Sequence, residues 1–386
     1  MWKVRAEIYL QNIQDNAKAF KNLTKTKLCA VVKANAYGHG SERVVCALSG
    51  VADCFAVALL SEALSIRVSA CGKDVLILSP PISRADAYLA IQNGFLLTVP
   101  DLQTAKLVAS VAGETKKTAR VHLKVNTGMN RYGMNGSMLG RICTYFQKQP
   151  FIKVEGIFSH LYVSDERGAR EQRELFLKLL SIAKRYYKNI TAHLSATYGA
   201  LLGDKFAFDM VRIGIGLYGY YPDGAELTDE KKSCVTLKKA MKVKAVVAQN
   251  RIYSFGGAGY GKPLSTIGKG ERIATLRVGY ADGFLRKREN GTCGDYKNIN
   301  NLCMDACVRK VRRARGKYVT VLGDASETAK KTGTISYEVL CGATRRAEFV
   351  YDDERESGER GRKNAKSCVT DGNEKVALRT GNGRRK

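Results

Sequence analysis

The sequence predicts a (β/α)8 barrel over residues 1–225 and a predominantly β domain over residues 226–350, on three observations. Eight short apolar runs alternate with helix-like stretches through the first part of the chain. Few hairpin turns separate them. After Tyr221-Pro222-Asp223-Gly224 the texture changes to β-branched runs divided by glycines. Strands alternating with helices imply a parallel sheet. Eight such units in about 220 residues suit a barrel, whose chemistry collects at the C-terminal ends of the strands.

The eight strand-like runs are Leu28–Val32, Phe55–Leu60, Val75–Leu78, Leu96–Val99, Val121–Val125, Gly156–Ser159, Ile190–His193 and Ile213–Tyr218. Between them Ser61–Val68, Leu102–Ala112 and Arg170–Lys188 carry apolar residues at three-to-four spacing, which reads as helix. In the second part Val243–Gln249, Arg272–Val278, Cys303–Lys310 and Tyr318–Leu322 are expected strands. Residues 351–386 are polar and of mixed charge, and a disordered tail is expected there.

Composition narrows the function classes. Lys and Arg number 64 against 36 Asp and Glu, a formal charge of +28, which suits either phosphate neutralisation or a solvated basic surface. No helix-turn-helix, zinc-finger or stacking-aromatic motif accompanies the charge, so no nucleic-acid partner is expected. No apolar run approaches the roughly 18–20 residues of a membrane span, and the N-terminus lacks secretory features. A soluble cytoplasmic protein is expected. The 11 cysteines are scattered, mostly inside apolar runs, and none follows zinc spacing. They read as reduced core thiols, with no metal site.

The most informative stretch is Val31-Val32-Lys33-Ala34-Asn35-Ala36-Tyr37-Gly38-His39-Gly40. It places a lysine at the C-terminal end of a buried strand, where a barrel gathers its reactive groups. Partial desolvation favours the neutral amine, a usable nucleophile or base, which makes Lys33 a Schiff-base candidate. On composition alone, an edge lysine reaching to solvent is the plainer reading.

This stretch resembles the pyridoxal-phosphate attachment motif of the alanine racemase family, whose members join a (β/α)8 barrel to a β domain. Further motifs stand in the family order. They are Lys124-Val125-Asn126-Thr127-Gly128-Met129-Asn130-Arg131, Gly156-Ile157-Phe158-Ser159-His160, Met210-Val211-Arg212-Ile213-Gly214-Ile215-Gly216, Gly279-Tyr280-Ala281-Asp282-Gly283, Leu302-Cys303-Met304-Asp305 and Ser336-Tyr337-Glu338. The resemblance spans roughly residues 5–350.

The resemblance implies pyridoxal 5'-phosphate on Lys33, which also serves as one of two bases. Tyr37, Thr197, Tyr337 and the backbone of Gly214 and Ile215 would hold the phosphate, where hydroxyl and N–H donors suit an anion. Arg212 would face the pyridine nitrogen; guanidinium only donates and so keeps that nitrogen unprotonated. His160 would support Arg212 or the wall beneath the ring. The second base would be Tyr260 in Gly259-Tyr260-Gly261, with Tyr253 as the competing tyrosine. Arg131 would meet the substrate carboxylate and the cofactor phenol oxygen, oriented by Lys124, which is often carbamylated in the family. Tyr280 and Met304 would line the mouth. The family also implies a homodimer in which each site takes Tyr260 from the partner chain.

Some positions depart from the family pattern. Asn126 replaces an acidic residue, Thr197 a common serine, Asn301 a common arginine and Arg5 a common tryptophan, and His193-Leu194-Ser195-Ala196-Thr197 lacks an asparagine. The function implied is interconversion of L-alanine and D-alanine for peptidoglycan. A serine or broad-specificity racemase is the alternative on the same scaffold. A non-catalytic pyridoxal-phosphate-binding protein is a third reading, which the β domain with its opposing tyrosine disfavours.

Overall fold

The computed structural model describes residues 4–257, 259–260, 267–286, 292–293, 296–297, 302–311 and 317–353. The tail expected over 351–386 lies outside them from residue 354, as do Gly261 and Asn301. Residues up to Asp352 form one unit.

Eight parallel strands make the barrel wall: β2 (Lys27–Val31), β3 (Cys54–Val57), β4 (Val75–Ile77), β5 (Leu96–Val99), β6 (Ala119–Lys124), β7 (Ile152–Phe158), β8 (Thr191–His193) and β9 (Met210–Ile213). They neighbour one another in chain order from β2 to β8, and β9 pairs with β2. The seam between β8 and β9 is closed by Asp209 N–H donating to the Ala192 carbonyl (3.1 Å) and Arg212 N–H donating to that of Ser195 (2.9 Å). Leu28, Phe55, Leu76, Leu97, Val121 and Ile157 are all buried, as expected for strands covered on both faces. Arg120 near the start of β6 bridges Asp74, just before β4 (2.5 Å), and Glu155 in the middle of β7 (2.7 Å).

The helices obey their sequence signals. Leu102–Thr115 starts where the Asp101 side chain accepts from Thr104 N–H (2.7 Å), and Glu166–Lys184 starts where that of Asp165 accepts from Gly168 N–H (2.8 Å). Such caps satisfy amides that have no partner within the helix. Helix Leu10–Thr24 buries Ile13, Ala17 and Phe20 on one stripe and ends at Lys25 in the left-handed region.

The fold class expected from sequence holds, with local differences. The last barrel strand is Met210–Ile213, three residues earlier than the apolar run Ile213–Tyr218 suggested. Gly214 (φ −112°, ψ −93°) leaves the extended region, and Ile215–Tyr218 forms a single tight helical turn. That turn lies close to Phe20, whose ring a Cβ at position 216 would approach to 2.5 Å. Within Cys303–Lys310 only Cys307–Lys310 is strand, because Cys303 N–H donating to the Ala306 carbonyl closes a turn first.

The first strand, β1 (Val4–Ile8), does not join the barrel. It inserts between β10 (Met241–Ile252), antiparallel, and Ala347–Tyr351, parallel. β10 also pairs with β11 (Arg272–Leu276) and with Tyr318–Leu322. The second sheet therefore uses both ends of the described chain. Helices Ala325–Thr332 and Ser336–Gly342 accompany it. No helix among the described residues is long and apolar enough to cross a membrane.

Candidate active site

A cavity of about 740 Å³ opens at the C-terminal ends of the barrel strands. Lys33, Tyr37, Lys124, Arg131 and His160 line it, and so do Thr197, Arg212, Gly214, Ile215 and Tyr337. Tyr260, Tyr280 and Met304 do not, and all three are substantially exposed.

Lys33 follows β2 with only Val32 between and begins an unusual turn. Ala34, Asn35, Ala36 and Tyr37 all have φ between 52° and 54°. A left-handed helical conformation costs an L-residue roughly 1–2 kcal/mol, so four in succession need external support. Glu62 supplies part of it, accepting from Ala34 N–H (2.7 Å) and Ala58 N–H (2.8 Å) and so tying the turn to the end of β3. The Asn35 side chain accepts from Ser41 N–H (2.8 Å). Burial lowers the pKa of Lys33, the charge of Arg131 lowers it further, and Glu62 opposes both. The amine is thus shifted toward its free-base form.

Three hydroxyls gather at one side. The Tyr37 ring lies 4.8 Å from that of Tyr218 and 5.9 Å from that of Tyr337. Burial raises the pKa of both Tyr37 and Tyr337, so both phenols stay protonated and able to donate. The Tyr37 hydroxyl lies so close to the backbone of Gly214 that a Cβ there would be 2.5 Å away. Thr197 accepts from Gly216 N–H (3.2 Å). Tyr337 is oriented by its neighbour Ser336, whose N–H and hydroxyl both donate to Asp223 (2.9 Å each).

Arg212 is buried beneath the cavity. Its Nη1 donates to the His193 carbonyl and His193 Nδ1, both at 3.0 Å. Its Nη2 faces the carbonyls of Ser159 (2.7 Å) and Leu194 (2.9 Å) and Nδ1 of His160 (3.3 Å). Both terminal nitrogens are thus engaged, and Nε–H is the guanidinium donor that meets no acceptor among the described residues. Burial lowers the Arg212 pKa to about 10, which leaves it charged at neutral pH. Burial, then the charge of Arg212, holds His160 well below the usual histidine range.

Lys124 sits 4.5 Å over the Phe158 ring and is buried without an acidic partner among the described residues. Burial, then Arg212 and Arg131, push its pKa well below the usual lysine value. Asn126 is occupied locally: its side chain accepts from Gly128 N–H (3.0 Å) and Asn130 N–H (3.1 Å), shaping the loop that presents Arg131.

On the second domain the structure joins Tyr280 to Met304 instead. Tyr280 N–H donates to the Cys303 carbonyl (3.1 Å) and Ala281 N–H to that of Met304 (3.0 Å). Buried Asp282 accepts from Gly279 N–H (2.8 Å) and pairs with Arg346, which also holds Asp305. Of the competing tyrosines, Tyr253 commits its hydroxyl to the Gly256 carbonyl, whereas the Tyr260 side chain is 72% exposed. Sequence reasoning missed Glu62, Asp223, His122 and the role of His193. His193 stood within a quoted motif and Asp223 within a stretch read only as a turn; Glu62 and His122 act from a separate helix and strand.

The sequence profile described as "Alanine racemase, N-terminal domain" matches residues 8–222, and "Alanine racemase, C-terminal domain" matches residues 240–351. The chain belongs to the alanine racemase family. It is 35% identical over 374 residues to alanine racemase 2 of Caldanaerobacter subterraneus subsp. tengcongensis, covering 90% of this chain and 94% of the relative. It is 34% identical to the alanine racemase of Clostridium perfringens, covering 92% and 96%. The solved alanine racemase of Clostridium difficile 630 superposes with a TM-score of 0.81 at 30% identity, covering 91% of this chain and 96% of that one. Among alanine racemases this chain thus matches relatives over nearly their whole length, and the cavity at the barrel mouth lies inside the matched region.

Proposed function

We infer that this protein interconverts L-alanine and D-alanine, with pyridoxal 5'-phosphate held on Lys33. One conjunction carries the reading. The cavity joins a lysine shifted toward its free amine to a charged arginine whose Nε–H meets no acceptor among the described residues. These residues fit the group. The missing side chain at Gly214 lets the Tyr37 hydroxyl approach its backbone, Tyr37, Thr197 and Tyr337 supply hydroxyls for a phosphate, and Arg212 supplies a fixed donor for a ring nitrogen.

When bound, pyridoxal phosphate supplies an electron-withdrawing ring that makes the α-proton of an attached amino acid removable. The side chains around it select the outcome. Arg212 cannot accept a proton from a ring nitrogen or hand one over readily, so it tempers electron withdrawal and favours simple proton exchange over side reactions. Arg131 holds the substrate carboxylate by a charge-assisted contact. Lys33 exchanges a proton on one face. A second base is needed on the other, because a lone base mostly returns the proton to the side it left.

Tyr260 is the group we assign to that face, supplied as the partner subunit's Tyr260 in a homodimer. The exposure of Phe255, Tyr260 and Met304 on the second domain, and of Tyr132 and Tyr162 at the barrel mouth, supports an assembly that covers both. We take the enzyme to be cytoplasmic, its product destined for peptidoglycan; the free thiols of Cys29, Cys54 and Cys143 suit a reducing compartment.

Borohydride reduction of the loaded enzyme followed by peptide mapping tests the reading. The cofactor mass should stay on the peptide containing Lys33, and the unreduced enzyme should turn L-alanine into D-alanine faster than it racemises L-serine. A labelled peptide without Lys33, or a preference for serine, overturns it.

A further inference from the structure

Beneath Arg212 lies a polar chain with no part in the proton exchange assigned to Lys33 and Tyr260. His193 Nε2 is 2.9 Å from Nδ1 of His122, and His193 Nδ1 is 3.0 Å from Nη1 of Arg212. All three side chains are buried in the barrel interior. Their protons can be assigned from chemistry. Guanidinium only donates, so His193 Nδ1 must accept and its proton sits on Nε2. That proton is donated to His122 Nδ1, which places the His122 proton on its own Nε2.

The fold has been shaped to admit this chain. Position 156 faces His122, and a Cβ there would lie 2.5 Å from the imidazole, so Gly156 is the slot in which the ring sits. The register between β6 and β7 shifts at this point, pairing Val121 with Val154 but His122 with Gly156. Glu155 is thus the extra residue of a bulge, a device that re-aims side chains beside functional sites. Phe158 then stacks on His193 at 4.8 Å with planes 6° apart, which fixes the second ring. Burial holds His122 down to about 4 and His193 well below the usual range, so both rings are neutral at physiological pH.

We propose that His193 and His122, seated by Gly156, are positioning residues that lock the guanidinium plane of Arg212 so that Nε–H points into the cavity. Without the chain, Nη1 would keep only the His193 carbonyl, and the plane would be held mainly from the Nη2 side by the carbonyls of Ser159 and Leu194, which loosens the Nη1 edge. The consequence for catalysis rests on the alanine racemase reading; the positioning itself does not, and it is measurable without cofactor.

The test uses imidazole and guanidinium nitrogen NMR on the cofactor-free full chain. In the wild type, His193 and His122 should both show a protonated Nε2 and an unprotonated Nδ1. In His193→Leu, exchange of the Arg212 Nε proton with water should accelerate about tenfold or more, the scale of one charge-assisted bond lost. His193→Asn, which keeps an acceptor for Nη1, should recover most of the protection. Gly156→Ala should shift the His122 resonances and loosen Arg212 without altering any member of the chain. In the loaded enzyme, His193→Leu should raise the share of turnovers that end in transamination. A proton on Nδ1 of His193 in the wild type overturns the proposal. So does unchanged Nε exchange in both His193→Leu and Gly156→Ala. If His193→Leu fails to fold, the wild-type tautomers and Gly156→Ala still decide.

Discussion

The Tyr37 hydroxyl lies where a side chain at position 214 would begin, 2.5 Å from the place of a Cβ on Gly214. The contact joins the left-handed turn after β2 to the turn after β9, the two strands at one side of the cavity. Each turn is irregular, and each fixes the other.

This contact makes Gly214→Ala informative. The methyl group must displace a buried ring that packs against Tyr218 and Tyr337. Cofactor affinity should fall about tenfold or more, read by equilibrium dialysis, with unfolding little changed beyond the roughly 1–3 kcal/mol of a strained insertion. Unchanged affinity would mean that Tyr37 and Gly214 do not form the phosphate subsite.

Lys124 is a buried cation without an acidic partner among the described residues, and its folded pKa lies below its unfolded value. The unfolded chain therefore binds the extra proton, and this residue costs stability at neutral pH, a cost that shrinks as pH rises toward the unfolded value near 10.5. In protein shown by mass to carry an unmodified lysine, Lys124→Met should unfold at higher temperature than wild type at pH 7. The gap should narrow by pH 10. An equal or lower melting temperature at pH 7 would contradict the assignment.

Glu155 has the opposite sign. Its hydrogen bond with Arg120 lowers its pKa to about 2 from 4.5, so its contribution is present above the upper value and is lost as pH falls through the lower one. Glu155→Gln should cost about 1–2 kcal/mol at pH 7 by chemical denaturation. The variant should also lose part of the wild type's decline between those two pH values. A variant with the full wild-type acid limb would show that Glu155 is not its source.

Active-site sharing can be read by mixing chains. Lys33→Ala and Tyr260→Phe should each be inactive as pure proteins. A mixed dimer built from one of each carries one site with both defects and one with neither, and should recover about half of wild-type activity if sites are shared across the two-fold axis. Mixed dimers no more active than their parents would place both groups of each site on one chain.

How much of this was legible before folding differs from residue to residue. The barrel strands announce themselves because a doubly covered parallel strand must be continuously apolar, and Leu28, Phe55 and Leu97 are buried for that reason. Lys33 was legible because its strand end and its glycine-flanked motif are local in sequence. β1 was not: Val4–Ile8 has the residues of a strand, but its partners lie at 241–245 and 347–351, and no local period can name them.

The same divide runs through the site. Arg212 stands in a recognisable stretch, yet what restrains it comes from β7, β8 and the loops after them. Chain chemistry alone thus specifies which elements form and which side chains can donate, accept or ionise. Which of them meet, how far burial shifts Lys33 and Lys124 from their solution behaviour, and which donor of Arg212 is left free were decided by packing. The physical reason is that desolvation and hydrogen-bond saturation are properties of a neighbourhood, and the acceptors of the Arg212 side chain come from residues up to 53 positions away.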